Sequence, residues 1–153
     1  MNLLTFLPRA ANDSHEFVTR AEFVALYPTT DTPTQYVDKL YQHAKVTQTQ
    51  QERLDAIEYF GGAATAADTG ARARALLLLT QNGDFQLREI RRAFVHMLYL
   101  GYLRRNPNDA PDNNFDGFNF WVTKLNQFNG DYLQAEMVKA FLTSLEYRRR
   151  FGP

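Results

Sequence analysis

One short segment of the sequence has the residue types and the spacing of a site for a hard cation. Asp112, Asn114 and Asp116 alternate along the chain, and Gly117 follows them directly. An oxygen-rich calcium loop has side-chain oxygens at its first, third and fifth positions and a glycine at its sixth. Its seventh position needs only a backbone carbonyl, which Phe118 supplies. The segment therefore predicts a Ca²⁺ site.

The twelfth position of this loop departs from the calcium pattern, because Thr123 stands where a bidentate glutamate closes the cage. Asp109, Asn119 or water must then complete the coordination, so we expect a weak site and no other cofactor. The same residues also suit a second interpretation. Aspartate and asparagine form turns, and Asp116 is well placed to cap the helix that contains Trp121.

The loop is flanked by residues that suit contact with a partner. Arg104 and Arg105 precede it and could bind a phosphate or a carboxylate, or could instead stabilise a helix end and pair with loop aspartates or Glu146. Phe115 and Phe120 fall outside the apolar stripe of the following helix. An exposed aromatic side chain at either position is a candidate contact for a partner.

The rest of the sequence contains no recognisable catalytic constellation. Cysteine is absent, which excludes disulfides, thiolate metal sites and thiol nucleophiles. The histidines lack metal-ligand spacing, and neither a glycine-flanked serine nor a phosphate-binding glycine loop is present. We therefore expect no catalytic residues and no enzymatic activity.

Charge and hydropathy limit the classes of partner that we expect. The 17 basic and 17 acidic residues cancel, which argues against nucleic acid as a partner. No apolar run approaches the roughly 20 residues needed to cross a bilayer, so membrane insertion is not expected. Residues 1–8 are apolar but lack the basic start and cleavage site of a signal peptide.

Apolar residues recur at helical spacing along the chain, and sustained strand-like alternation is absent. The sequence therefore predicts an all-α fold, a compact bundle of about six or seven helices. Thr32 before Pro33, Thr49 with Glu52, Asp68 and Asp84 are the predicted helix starts. The predicted helices include Phe17–Leu26, a long helix from Asp84 to Leu103 that buries Leu87 and Ile90, Phe118–Gln127 with Trp121 inward, and Tyr132–Arg149 with Leu142 and Leu145 inward.

The length predicts one domain, residues 1–153. Three sequence pairs recur in the same order and suggest two degenerate three-helix halves, residues 15–83 and 84–151. The pairs are Phe23-Val24 with Phe94-Val95, Tyr36-Val37 with Trp121-Val122, and Ile57-Glu58-Tyr59 with Leu145-Glu146-Tyr147. The alternative is that these are common helix residues without a shared origin.

The second half carries a longer pattern, which consists of Phe94-Val95, Leu103-Arg104-Arg105, Pro111-Asp112, Gly117, Phe120-Trp121, Leu125 and Ser144-Leu145-Glu146-Tyr147. On these residues, 87–151 resembles the bacterial family numbered forty-two fourteen among the domains of unknown function. This chain differs by extra residues, Asn108 to Pro111, before the Asp-Gly turn. The resemblance implies a helical, non-catalytic module of secreted multidomain proteins, distantly similar to phycobilisome linker domains.

We therefore expect an interaction or assembly module, secreted or at the cell surface as part of a larger protein, with a weak Ca²⁺ site as an accessory. Its partner would be a protein or a cell-surface component, and its oligomeric state is open. The alternative is a carbohydrate-binding or small hydrolase domain that uses Asp112, Asp116 and Trp121. A buried Trp121 would favour the interaction module, and a Trp121 exposed over a cleft would favour sugar binding.

Overall fold

The computed structural model describes residues 13–152, so the expectation for residues 1–8 lies outside the described part of the chain. Residues 13–152 form helices, turns and loops and contain no strand, which confirms the all-α prediction. The helices outnumber the expected six or seven, because two of the predicted helices are each divided. Within the same residues, no helix is both long enough and apolar enough to span a bilayer.

The helices follow one another along the chain as α1 (residues 13–18), α2 (Ala21–Leu26), α3 (Pro33–Ala44), α4 (Gln50–Glu58), α5 (Thr69–Thr80), α6 (Gly83–Leu98), a π-helical turn (Tyr99–Leu103), α7 (Asp116–Gln127), α8 (Met137–Thr143) and α9 (Leu145–Phe151). Contacts divide the chain into two compact units, Met1–Gln86 (unit 1) and Leu87–Pro153 (unit 2). The division falls within α6. The single domain and the two repeat halves stay predictions.

The helix starts of unit 1 follow the predicted capping chemistry. Thr32 and Thr49 each accept a hydrogen bond from the backbone N–H three residues later, and the side chains of Gln35 and Glu52 accept one from the backbone N–H of the cap residue. Asp68 accepts from Ala71 N at 2.7 Å. These side chains satisfy N–H groups that have no partner inside a helix, which fixes where each helix begins.

One predicted helix and one predicted helix start in unit 1 are wrong in detail. The predicted helix Phe17–Leu26 is interrupted between α1 and α2, because Arg20 is extended with ψ 141°. The break turns Val18 and Phe23 into the core and leaves Phe17 42% exposed. At α6 the cap is Asn82, whose Oδ1 accepts from Phe85 N at 3.1 Å, and Asp84 lies inside the first turn.

A buried arginine lies in the core of unit 1. Arg72 is 1% exposed and donates to the carbonyl oxygens of Ala66 at 3.0 Å and Tyr27 at 2.6 Å. Its guanidinium carbon lies 4.5 Å from the ring centroid of Tyr36, whose hydroxyl donates to the Arg72 carbonyl. Burial lowers the pKa of Arg72, but a guanidinium stays charged at neutral pH. Carbonyl dipoles and aromatic faces therefore replace the water around this cation.

The core of unit 2 contains residues of α6, the π-helical turn, α7, α8 and the segment before α8, among them Val95, Tyr99, Phe118, Leu125 and Phe141. Two expectations about this unit are wrong. Leu87 and Ile90 are 53% and 65% exposed, and Leu142 and Leu145 are also exposed. The predicted helix Tyr132–Arg149 is divided at Ser144, which is extended and whose Oγ accepts from Tyr147 N at 3.1 Å. Serine bonds its own backbone readily, so it starts α9 as a cap.

We predict that Arg72→Met lowers the free energy of unfolding by about 2–4 kcal/mol, because the carbonyls of Ala66 and Tyr27 lose their donor. Urea denaturation monitored by circular dichroism measures the change. Arg74→Met is the matched control, since Arg74 lies on the same helix and is exposed, and it should cost less than about 1 kcal/mol. Equal losses in the two variants would contradict a special role for Arg72.

Candidate functional site

The candidate site of unit 2 is the segment between the π-helical turn and α7. It begins at Arg104, where the backbone changes direction. The π-helical turn ends at Leu103, and Arg104 adopts a left-handed conformation with φ 53°. The side chain of Arg104 is exposed, whereas the side chain of Arg105 is buried. Two adjacent arginines therefore have different environments, which their sequence alone does not distinguish.

Arg105 connects the segment to α9. Its Nε and Nη2 donate to the two carboxylate oxygens of Glu146 at 2.7 and 3.1 Å, and Nη2 also donates to Asp112 Oδ2 at 2.8 Å. Its Nη1 donates to the carbonyl oxygens of Asn106, Pro107 and Asp109. The side chain is only 8% exposed. The expected pairing with a loop aspartate or Glu146 is therefore confirmed for Arg105, with both acids at once.

The environment of Arg105 and Tyr99 raises the pKa of both side chains. The hydrogen bonds that Arg105 donates to Glu146, more than any other cause, raise the pKa of Arg105. Its guanidinium carbon lies 5.1 Å from the centroid of the Tyr99 ring. Burial, and then the Asp112 carboxylate, raise the pKa of Tyr99. A Cβ at Gly117 would lie 2.7 Å from the Tyr99 hydroxyl oxygen, so any other residue there would force Tyr99 or the start of α7 to shift.

The predicted calcium ligands are only partly free. Asp112 Oδ2 is bonded to Arg105, while Asn114 Oδ1 accepts from Asp116 N at 2.8 Å and Asn114 Nδ2 donates to Asp116 Oδ2 at 3.0 Å. The helix cap predicted at Asp116 is wrong, because Asp116 is the first residue of α7 and the N-cap residue, Phe115, makes no side-chain cap hydrogen bond. The Asn114 side chain forms a turn with Asp116 just before the helix. Within residues 13–152, no group of three or more His, Cys, Asp or Glu side chains is arranged to hold a metal ion. The Ca²⁺ site through Asp112, Asn114, Asp116 and the Phe118 carbonyl stays a prediction.

The aromatic side chains of α7, and of Phe115 just before it, are partly exposed and partly packed. Phe115 and Phe120 are 50% and 58% exposed. Both are therefore accessible to a partner, as an aromatic contact residue must be. Trp121 is half-buried, with its ring 5.5 Å from Phe141 and the Lys124 ammonium 5.4 Å from its centroid. The tryptophan thus packs against the core of unit 2 on one side. The sugar-binding and hydrolase alternatives stay predictions.

A second surface, which we call the α6 face, was not anticipated from the sequence. It consists of Ile90, Ala93 and Met97 of α6 and Leu100 of the adjoining π-helical turn, all exposed. A groove of about 430 Å³ adjoins it and is lined by Ala93, Met97, Leu100, Phe118, Glu89, Arg92 and His96. The Arg92 guanidinium lies 5.2 Å from the centroid of the Phe118 ring. The signal was available in the sequence, because apolar residues surround much of the circumference of α6.

A third feature is a groove of about 560 Å³ beside α9, called the α9 groove, which is lined by Ala110, Pro111, Leu145, Glu146, Arg149 and Arg150. Arg148, Arg149 and Arg150 are three consecutive basic residues in the last turn of α9. Arg149 and Arg150 line the groove together with Ala110 and Pro111, which are distant from them in the sequence, so no local pattern could have found this groove.

Comparison of the chain with protein-family models, with curated proteins and with solved structures finds no match. The resemblance carried by Pro111-Asp112, Gly117 and Phe120-Trp121 therefore stays a prediction. The functional argument rests on the geometry of the three features above.

We predict that Arg105→Lys lowers the free energy of unfolding by about 2 kcal/mol, because an ammonium cannot replace the bidentate bond and the three carbonyl bonds together. It should also increase protease cleavage between Pro107 and Gly117. Arg104→Lys is the adjacent control, and we expect a change within about 0.5 kcal/mol. An Arg105→Lys variant that keeps the wild-type free energy of unfolding and protease resistance would disprove the role of Arg105.

Proposed function

We propose that this chain is a non-catalytic assembly module, whose unit 2 pairs with a second copy of the chain through the α6 face. The observation that carries this proposal is the exposure of a regular apolar stripe: Ile90 is 65% exposed, Met97 60% and Leu100 46%. Isolated apolar residues are common on protein surfaces, but a contiguous stripe of them is typical of an interaction site.

The spacing of the stripe fits helix pairing. Ile90, Ala93, Met97 and Leu100 follow one another at intervals of three, four and three residues, which is the spacing of a coiled-coil seam. Because the intervals read the same in both directions, an antiparallel pair centred at Val95 places Ile90 opposite Leu100 of the second copy. It also places the small Ala93 opposite the large Met97. A two-fold interface requires such self-complementarity.

The size of the α6 face sets the expected affinity. The stripe extends for about 15 Å at 1.5 Å per residue, which covers less area than the ~800 Å² per partner of a stable complex. The pairing should therefore be weak in the isolated chain. Within a larger protein that carries the module in several copies, linkage of weak contacts would strengthen the assembly.

The proposal also includes the location of the module and its non-catalytic role. A secreted or cell-surface location within a larger protein is supported by the resemblance of residues 87–151, and a non-catalytic role is supported by the absence of a catalytic constellation from the sequence. A protein partner agrees with the balanced charge, which offers no general attraction for nucleic acid.

We predict that the chain shows reversible self-association in sedimentation equilibrium between micromolar and millimolar concentration, with a mass that rises toward twice that of the monomer. Met97→Glu should abolish it, because a carboxylate in the centre of the seam cannot be buried without a partner. Leu133→Glu is the control, since Leu133 is 71% exposed in the same unit but lies outside α6. A chain that remains monomeric at millimolar concentration would rule out the pairing.

A weak Ca²⁺ site is an accessory part of the proposal. Ca²⁺ at tenfold its Kd should stabilise the fold by about 1.4 kcal/mol and raise the melting temperature by roughly 3 °C. Asp116→Ala should abolish the rise, whereas Asp55→Ala in unit 1 should retain it. Identical melting curves in Ca²⁺ and in chelator would remove the calcium site and leave the α6 pairing untouched.

A further inference from the structure

The α9 groove has two walls, and a buried arginine connects them. One wall is formed by α9 and includes Glu146, and the other wall is formed by Ala110 and Pro111. Arg105 binds Glu146 on the first side and binds the Asp109 carbonyl and Asp112 on the second. The groove is therefore preformed, which lowers the entropy lost when a ligand binds. Its volume of about 560 Å³ lies in the range of ligand sites.

The charge of the groove is positive. Arg105 pairs with the carboxylates of both Glu146 and Asp112, so these three groups keep one net negative charge, which the positive charges of Arg149 and Arg150 exceed. Arg150 donates to the Arg104 carbonyl at 3.2 Å and its Nη2 lies 3.9 Å from Glu146. Arg149 has no acceptor among residues 13–152 and is exposed. The groove thus presents a guanidinium with unused donors to any anion that enters it.

Apolar surface lies beside these guanidinium groups. Leu145 is 70% exposed, and Pro111 is exposed on the opposite side. Basic and apolar groups that line one concavity match a ligand with carboxylates next to an aliphatic side chain. A flat anionic bilayer fits less well, because the surface is recessed and a lipid headgroup layer contacts protruding residues.

We infer that the α9 groove binds an acidic peptide segment, whose carboxylates pair with Arg149 and Arg150 and whose apolar side chain contacts Leu145 and Pro111. Charge complementarity is the basis of this assignment, since paired guanidinium–carboxylate contacts give both direction and affinity. The inference does not depend on pairing through the α6 face.

A terminally blocked peptide of sequence Asp-Glu-Leu-Asp-Glu is a suitable probe, and the amide analogue Asn-Gln-Leu-Asn-Gln is its control. Titration of the full chain, followed by amide NMR shifts and by fluorescence anisotropy of a labelled peptide, measures binding and locates it. We expect shifts at Ala110, Leu145 and Arg149 with the acidic peptide, weakened by added salt, and no saturable shifts with the amide analogue.

Arg149→Gln should weaken the binding at least about tenfold, which corresponds to the loss of one charge-assisted contact. Arg148→Gln is the matched control, because Arg148 is the preceding arginine of α9 and is exposed but does not line the groove. Its affinity should stay within about twofold of the wild type. Both side chains are exposed, so both variants should retain the fold, which far-UV circular dichroism checks.

Several results would overturn the inference. These are equal binding of the amide analogue, equal loss in the Arg148→Gln and Arg149→Gln variants, and tighter Arg149-dependent binding to vesicles of anionic lipid than to the peptide. Met97→Glu separates the two proposals, because it should abolish self-association and leave the peptide affinity unchanged. Failure of either experiment is therefore distinguishable from failure of the other.

Discussion

The Arg105 guanidinium is the interaction on which the functional surfaces near α9 depend. It satisfies three carbonyl groups of an irregular segment and two carboxylates from separate parts of unit 2. A loop of this length has few backbone bonds of its own, and buried carbonyls without donors are costly. One planar cation with five donors solves that problem where regular structure cannot.

Unit 1 uses a related solution. Arg72 is buried among carbonyl groups and rests against Tyr36, as Arg105 rests against Tyr99. The two arginines differ in their partners, since Arg105 also binds carboxylates whereas the hydrogen bonds of Arg72 go to carbonyls. In both units a stacked arginine holds non-helical backbone against helices, and the helices supply the apolar burial.

The local structure of this protein was predictable where one short-range interaction decides it. Thr32, Thr49 and Asp68 cap helices as expected, because capping needs only residues within one turn. The break at Ser144 was missed, since serine is also tolerated inside helices and the apolar pattern continues through it. The orientation of α6 was missed for a different reason. Val95 and Leu98 face the core. Ile90 and Met97 follow the same helical periodicity but lie on a different, exposed face of α6.

The candidate site was predictable only in part, because it depends on contacts between distant residues. The pairing of Arg105 with Glu146 spans 41 positions and was anticipated from charge alone. The α9 groove also requires the path of the chain through Ala110 and Pro111, and no sequence pattern specifies that path. Turn-forming residues such as Asn114 indicate that a loop exists, but several loop conformations satisfy the same residues.

The double use of Glu146 has a thermodynamic consequence. The same carboxylate lines the α9 groove and receives the guanidinium that orders the segment from Asn106 to Asp112. If the groove binds a ligand as proposed, its occupancy and the order of that segment are linked equilibria, and any effect that one has on the other is returned with an equal free energy. For a ligand that binds only when the segment is ordered, heat, denaturant or a weakened Arg105 would reduce the affinity without touching any residue that contacts the ligand.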